Sequence, residues 1–254
     1  MYSADSVDRL NMTRYDVQAG LRGLQEQILL DLGSEDSLSE DAREQMQHGV
    51  ARRLETIQAC IGNVFDLYPP DVSRPLERSA RNDVQINLHG YMANVSGIFD
   101  NLGWAFLFRH SLAGSLSPMD VGLFKRRTQR FLPAPLREYL GSAEVTGWHE
   151  DYLKLYRDTL VHRIPLYLPP AEFTEEESAE YQRLDEQKIE MIRSQDFSAH
   201  DEVVLRQKAL GRPAMYFLGS LRGKSRPIQM HPQMLSDGQA LIEVGHRFLG
   251  CWDG

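Results

Sequence analysis

Three polar residues, Arg157, Asp158 and His162, lie close together near the end of a predicted helix. An arginine side chain stays protonated in proteins and an imidazole titrates near neutral pH, so together they can bind a phosphate group and transfer a proton. Asp158 and His162 are four positions apart, which makes them neighbours on a helix. Arg157 and His162 are five positions apart, roughly 140° around the helix, and would flank a shared groove. The spacing therefore indicates phosphate chemistry at this end of the helix.

The helix that carries these residues is predicted to run from Trp148 to Arg163 or Ile164. Thr146 can cap its first turn, and the carboxylates that follow suit the positive end of the helix dipole. Pro165 stops the helix, because the residue before a proline disfavours helical backbone angles. Residues at spacings of three and four predict one apolar face: Trp148, Tyr152, Leu155, Tyr156 and Thr159.

The segment Arg157-Asp158-Thr159-Leu160-Val161-His162 resembles the R-x4-6-H motif of the HEPN superfamily (higher eukaryotes and prokaryotes nucleotide-binding). With the asparagine-rich helix that precedes it, the resemblance covers Asp83 to Pro165. The resemblance implies a helical bundle and a metal-independent endoribonuclease, often a toxin or an anti-phage effector. It also implies a homodimer whose two motifs meet in one cleft. Asp158 departs from the family's pattern, in which asparagine is commoner after the arginine.

The resemblance implies a role for each residue of the motif. His162 would act as general acid or base on the RNA 2′-hydroxyl and on the leaving oxygen, Arg157 would hold the scissile phosphate, and Asp158 would orient one of them. No cofactor and no metal would be needed. The alternative is a non-catalytic helical protein for binding or dimerisation, in which Arg157 and His162 only brace the bundle. The acidic charge of the chain and the carboxylate of Asp158 favour that alternative.

A second predicted helix, from about Pro75 to His110, carries a heptad of apolar residues and a parallel row of asparagines. Asparagine is a middling helix former, so Asn87, Asn94 and Asn101 on one row need a reason. One reason is hydrogen bonding of the amides to neighbouring helices. The other is a polar wall that faces the motif, in which Asn101 would donate to the phosphate. Glycines on the same helix predict the close approach of another backbone, here the helix of the motif: Gly90, Gly97 and Gly103.

A basic cluster, Lys125 to Arg130, stands out in this acidic chain. Ser117, Pro118 and Asp120 predict the start of the helix that carries it. The cluster is either a solvated helix face or a contact to the RNA backbone, in which Arg126 and Arg127 would bind substrate.

The remaining periodicity predicts an all-α helical bundle with a small β-hairpin near the C-terminus. Two long helices are expected before residue 70, the second capped by Ser37, and capping residues at Thr174 and Ser198 start two later helices. Short strands around Ala214–Leu218 and Pro227–Met230 form the hairpin. One helical domain spans 1–254, in three parts: the N-terminal helix pair (1–70), the HEPN-like core (75–165) and the C-terminal helices with the hairpin (166–254).

Gly219 to Ser225 looks like a phosphate-binding loop, but its glycines are separated by three residues where a Walker A motif has four. Pro227 also follows where that motif requires a helix. The segment is therefore interpreted as a hairpin turn. The histidines show no metal-binding spacing, so we expect no metal site.

Composition limits the partners and the location. The formal net charge of −8 disfavours broad binding to nucleic acid, and we expect no DNA partner while leaving room for a local RNA site. No apolar run is long enough for a transmembrane helix, the first residues do not resemble a targeting signal, and no membrane partner is expected. Cys60 and Cys251 form no disulfide framework, so we expect reduced thiols and a cytoplasmic protein.

Overall fold

Helices form most of the chain in the computed structural model, which describes residues 2–35, 37–219 and 226–253. The prediction of an all-α bundle is confirmed. The α-helices in chain order are α1 (Ala4–Ser34), α2 (Glu40–Glu44), α3 (Arg52–Leu67), α4 (Arg78–Arg109), α5 (Arg126–Gln129), α6 (Ala134–Leu140), α7 (Ala143–Gly147), α8 (Lys154–His162), α9 (Glu175–Ser194), α10 (Phe197–Lys208) and α11 (Met230–Leu249). Two π-helices, Gln45–Ala51 and Trp148–Leu153, and two 3-10 turns, Ala113–Ser115 and Pro118–Asp120, lie between them.

The predicted hairpin is present as two short antiparallel strands, β1 (Tyr216–Phe217) and β2 (Ile228–Gln229), with Phe217 opposite Ile228. An isolated bridge between Tyr167 and Leu218 joins the segment after α8 to the hairpin. Residues 220–225, and with them most of the segment that looks like a phosphate loop, lie outside the described residues.

The core lies around α4, which packs against α3 along much of its length and also contacts α8. The last helix, α11, packs chiefly against α1 and also contacts α3 and α4. The contact between α4 and α8 confirms the predicted packing of the helix of Asn101 on the helix of Arg157. The apolar heptad of α4 is buried throughout, as its spacing predicted: Val84, Leu88, Tyr91, Val95, Ile98, Leu102 and Ala105.

The caps of several helices differ from those predicted, although the helices themselves are present. Ser39 replaces Ser37 and accepts a hydrogen bond from the Ala42 amide, and Asp196 replaces Ser198. Only the capping box of Thr174 and Glu177 forms as predicted. Several residues near each helix start have side chains able to cap it, so local sequence alone does not select among them.

The basic cluster does not lie on the helix predicted from Ser117. Helical structure there is limited to the turn Pro118–Asp120 and to α5, and Gly122 between them has φ +148°. The Leu123 amide donates to the Phe99 carbonyl of α4 at 3.0 Å, so the chain runs as a loop along α4. A residue with positive φ breaks the helix that the local pattern predicted.

The segment between α8 and α9 crosses α4. The carbonyl of Leu166 bonds His89 at 2.7 Å, and the amide of Leu168 donates to the Gln85 side chain. Beyond it, α9 and α10 pack chiefly on each other and form a helical arm. Across the described ranges we find no helix with the length and apolar character to span a membrane.

Candidate functional site

The helix predicted from Trp148 is part of a longer helical run that begins at α7. Ser142 caps this run by accepting from the Val145 amide, and Thr146 is not the cap, because its hydroxyl donates to the Leu140 carbonyl. The π-helix Trp148–Leu153 interrupts the run. A π turn holds more residues than an α turn, so it changes which residues face the core. Leu153 is consequently buried, and Leu155, predicted on the apolar face, is 37% exposed.

A buried carboxylate, Asp237 of α11, holds this π-helix in place. Its oxygens accept hydrogen bonds from Trp148 Nε1 at 2.8 Å, from the Tyr152 hydroxyl at 2.9 Å and from Gln233 Nε2 at 2.8 Å. Trp148 and Tyr152 flank the residues His149, Glu150 and Asp151 on the π-helix. The contact with α11 therefore determines the direction in which His149 and Glu150 point.

His149 and Glu150 line a cavity of about 580 Å³ between the π-helix, the loop before α5 and α5 itself. A smaller cavity of about 70 Å³ shares five of its residues and extends to Ser96, Asp100 and Arg157. We call the two together the basic cleft. The cationic side chains that line it are Lys125, Arg126, Lys154 and Arg157.

His149 is the histidine of the basic cleft. Its ring stacks on Phe124, with centroids 3.8 Å apart and 13° between the planes, and Nδ1 lies 3.1 Å from Glu150 Oε1. Burial lowers the pKa of His149 below 6.5, although Glu150 acts in the opposite direction. The hydrogen bond from Lys154 lowers the pKa of Glu150, so Glu150 is ionised and accepts the Nδ1 proton. Nε2 of a neutral His149 then carries the lone pair and can accept a proton.

Arg157 reaches the basic cleft from α8, where it pairs with Asp158 and acts electrostatically on Asp100. Its Nη1 lies 3.3 Å from Asp158 Oδ1, which forms an ion pair. Burial raises the pKa of Asp100 across the cleft, and the charges of Arg157 and Lys125 oppose that rise. The Nε of Arg157 is buried and has no hydrogen-bond partner among the described residues. The guanidinium therefore keeps one donor that none of the described residues uses.

His162 lies elsewhere. It is the last residue of α8, its side chain is exposed, and it is not among the residues that line the basic cleft. The structure thus brings Arg157 together with Asp158, as the motif implied, and places His149 in the cavity of Arg157. His162 shares only the helix.

Asn101 does not face the motif, which corrects the prediction of a polar wall. Its side-chain oxygen accepts from Arg53 Nε at 2.7 Å, and Asn94 accepts from Arg53 Nη1 at 3.0 Å. Asn87 accepts from Asn63 of α3. The asparagine row therefore bonds the neighbouring helix, the first of the two readings, because α3 and not α8 covers that side of α4.

Only one of the two arginines predicted to bind substrate lies at the basic cleft. Arg126 lines the basic cleft. Arg127 does not line it and pairs with Asp120, with Nη1 and Oδ2 2.8 Å apart. The residues that we describe contain no cluster of three or more histidine, cysteine, aspartate or glutamate side chains placed to hold a metal ion.

Comparison with protein-family models, with curated proteins and with solved structures gave no match.

Three residues of the site were not predicted from the sequence: Lys154, His149 and Phe124. A usable signal was present for Lys154, since Glu150, Lys154 and Arg157 follow the four-and-three spacing of one helix face. No comparable signal pointed to Phe124, which comes from a loop that only the fold places against His149.

Proposed function

We propose that the protein is a metal-independent endoribonuclease that binds RNA in the basic cleft. The observation that supports this most directly is that four cationic side chains and a histidine of lowered pKa line two adjoining cavities in a chain of net charge −8. Cations fixed around a phosphate stabilise the charge that develops when it is attacked. The resemblance of Arg157–His162 to the HEPN motif agrees with this chemistry and extends the proposal to a toxin or anti-phage role in the cytoplasm.

The reaction that fits the cleft is attack by the RNA 2′-hydroxyl on the adjacent phosphorus. Nε2 of neutral His149 would take the proton of the 2′-hydroxyl, and Arg157, with Lys125 and Lys154, would bind the phosphate oxygens. The bond from phosphorus to the 5′ oxygen breaks, and a general acid protonates the leaving oxygen. The products are a 2′,3′-cyclic phosphate and a 5′-hydroxyl. Glu150 would hold the His149 ring in the required tautomer.

The decisive experiment compares substitutions at His149 and Arg157 in the cleft with one at a histidine outside it. His149→Ala should lower cleavage of a single-stranded RNA by about 100-fold or more, the usual contribution of a general base. Arg157→Lys should also impair cleavage, since an ammonium cannot make the paired contacts of a guanidinium. His246→Ala, which removes an exposed histidine of α11, is the control and should cleave as the parent does. A DNA of the same sequence should remain intact, because it lacks the attacking hydroxyl.

The pH profile separates a catalytic His149 from one that only packs on Phe124. Because burial lowers the pKa of His149, the parent should stay active down to a pH below 6.5 and then lose activity as the base is protonated. Chelator should leave the rate unchanged. If His162→Ala alone abolishes cleavage at an unchanged melting temperature, His162 is the acid–base group and the assignment to His149 is wrong.

A non-catalytic binding protein is the second candidate. The carboxylates in and beside the cleft favour it, since Glu150 pairs with Lys154 at 2.6 Å and Asp158 with Arg157. These pairs reduce the charge available to an anionic substrate. Should pure protein leave RNA intact while His149→Ala and Arg157→Lys mainly lower the melting temperature, the nuclease proposal fails and this candidate replaces it.

A further inference from the structure

A second cavity lies on the side of α4 that faces α3. It has a volume of about 370 Å³ and is lined by Glu44 of α2, the first π-helix, the first residues of α3, and Asn94 and Asn101 of α4. His48, Arg52, Arg53 and Glu44 are its titratable side chains. We call it the Arg53 pocket. None of its residues lines the basic cleft.

Neutral groups fix the guanidinium of Arg53 in this pocket. Its Nε and Nη1 donate to Asn101 and Asn94, and each asparagine is held in turn, Asn94 by the Gly90 carbonyl at 2.7 Å and Asn101 by Gln45 Oε1 at 2.8 Å. Among the residues described, no carboxylate lies within ion-pair distance of Arg53. The side chain is therefore rigidly oriented without a direct ion pair, although its charge acts on Asp100 of α4, where it opposes the rise in pKa that burial causes.

Glycines make the room that this arrangement needs. A Cβ on Gly97 of α4 would lie 2.6 Å from Arg53 Cζ, and a Cβ on Gly49 of the π-helix would lie 2.6 Å from Asn101 Nδ2. Any other residue at either position would displace the guanidinium or the amide that orients it. π-Helical turns are also frequent at functional sites. Two glycines, two asparagines and a π turn thus converge on one arginine.

The unused donors of Arg53 suit an oxyanion. A guanidinium has five N–H donors, and the two asparagines take one on Nε and one on Nη1. The remaining donors lie on Nη1 and Nη2, the end of the guanidinium that binds two oxygens of a phosphate side by side. Arg52 adds a second positive charge, and Glu44 is the single carboxylate among the residues that line the pocket.

We propose that the Arg53 pocket binds a phosphate group, which is supplied either by a free mononucleotide or by the backbone of an RNA chain. The proposal does not depend on RNA cleavage in the basic cleft, from which the pocket is separated by α4. It assigns Asn94 and Asn101 a function that hydrogen bonding between helices alone does not require, namely orienting an arginine without forming an ion pair with it.

The test follows the Arg53 Nε–H resonance of the full chain by nuclear magnetic resonance. Three probes are titrated separately: inorganic phosphate, adenosine 5′-monophosphate and a 2′-O-methyl RNA decamer that cannot be cleaved. A saturable shift with phosphate is expected. Tighter binding of the monophosphate than of phosphate identifies a nucleotide as the source, and tighter binding of the decamer alone identifies an RNA backbone. Arg157→Gln, which alters the basic cleft, should leave the shift unchanged.

Asn101→Asp provides the sharpest variant. It keeps the shape of the side chain and places a carboxylate against Arg53 Nε, while Gln45 can turn its amide to donate to it. Binding of phosphate should weaken by roughly 10-fold or more, because the charge of Arg53 is then neutralised. Arg52→Gln should weaken binding less and leave the melting temperature unchanged, since its side chain is exposed. An Arg53 resonance unmoved by all three probes, or an Asn101→Asp variant that binds phosphate like the parent, would show that Arg53 is only a structural contact.

Discussion

Asp237 shows how strongly a single residue can depend on its surroundings. Its side chain is fully buried, and three donors contact its oxygens. Burial raises the pKa of Asp237 to about 6, more than those hydrogen bonds lower it. The carboxyl group that fixes the π-helix of the basic cleft is therefore less costly to bury when protonated.

The raised pKa of Asp237 predicts that the stability of the protein depends on pH. The folded pKa of Asp237, about 6, lies above the ordinary aspartate value of 3.8, so the native state binds the proton more tightly than the unfolded chain does. Its contribution is present below pH 3.8 and is lost as the pH rises through 6. Raising the pH from 4.5 to 7.5 should therefore lower the free energy of unfolding by roughly 2 kcal/mol through this group.

Urea unfolding of the parent and of Asp237→Asn at the two pH values measures that loss. The variant has no titrating group at this position, so the difference in free energy between parent and variant should shift by about 2 kcal/mol in favour of the variant at the higher pH. A difference that is the same at both pH values would mean that Asp237 keeps an ordinary pKa in the folded protein.

At the scale of elements, one loop depends on a close approach to α4. Gly103 of α4 lies against Gly122, and a Cβ on Gly103 would be 2.6 Å from Gly122 Cα. Gly122 is followed by Leu123, which bonds α4, and by Phe124 and Lys125 of the basic cleft. The fit between the loop and α4 thus positions one wall of the cleft.

Gly103→Ala should move this loop. Since the added methyl meets backbone atoms, which cannot turn away as a side chain can, we expect a loss of roughly 1–3 kcal/mol in unfolding free energy and weaker RNA cleavage. Gly23→Ala is the matched control, because a Cβ there meets nothing within 4 Å on the exposed face of α1. It should raise stability by roughly 0.5–1 kcal/mol. Urea unfolding that finds Gly103→Ala as stable as the parent would contradict the close approach.

For the whole molecule, the end of α8 offers an apolar surface. Val161 is 58% exposed and Ile164 65% exposed, and both flank the exposed His162. We propose that the protein is a homodimer joined through this surface, as the resemblance to HEPN proteins implies. A twofold axis here would bring two copies of His162 together outside the basic cleft, where the resemblance to HEPN proteins implies a composite site.

Light scattering at micromolar concentration tests the dimer. The parent should have twice the chain mass, and Ile164→Glu should shift it to the monomer, because burying an unpaired carboxylate in an apolar contact is costly. Leu30→Glu on α1, where the side chain is 73% exposed, is the matched control and should stay dimeric. A monomeric parent would exclude a composite site.

The sequence by itself determined most of the helices, though not the one predicted from Ser117, together with the hairpin between Ala214 and Met230 and the capping box at Thr174. These features follow from hydrogen bonds and side-chain periods within a few residues, which the order of residues displays directly. The buried heptad of α4 was predictable for the same reason. The exact caps and the π turns were not, because packing decides between local arrangements of similar energy.

Only the tertiary structure decided which polar side chains meet. Asn101 faces Arg53 because α3 covers that side of α4, and His149 joins Arg157 because the π turn and Asp237 direct it into the cleft. The motif spacing was right for Arg157 and Asp158, which are adjacent in the chain, and uninformative for Phe124, which is 25 residues before His149. Spacing along one helix specifies direction around that helix, whereas a site also needs the partner that packs against it.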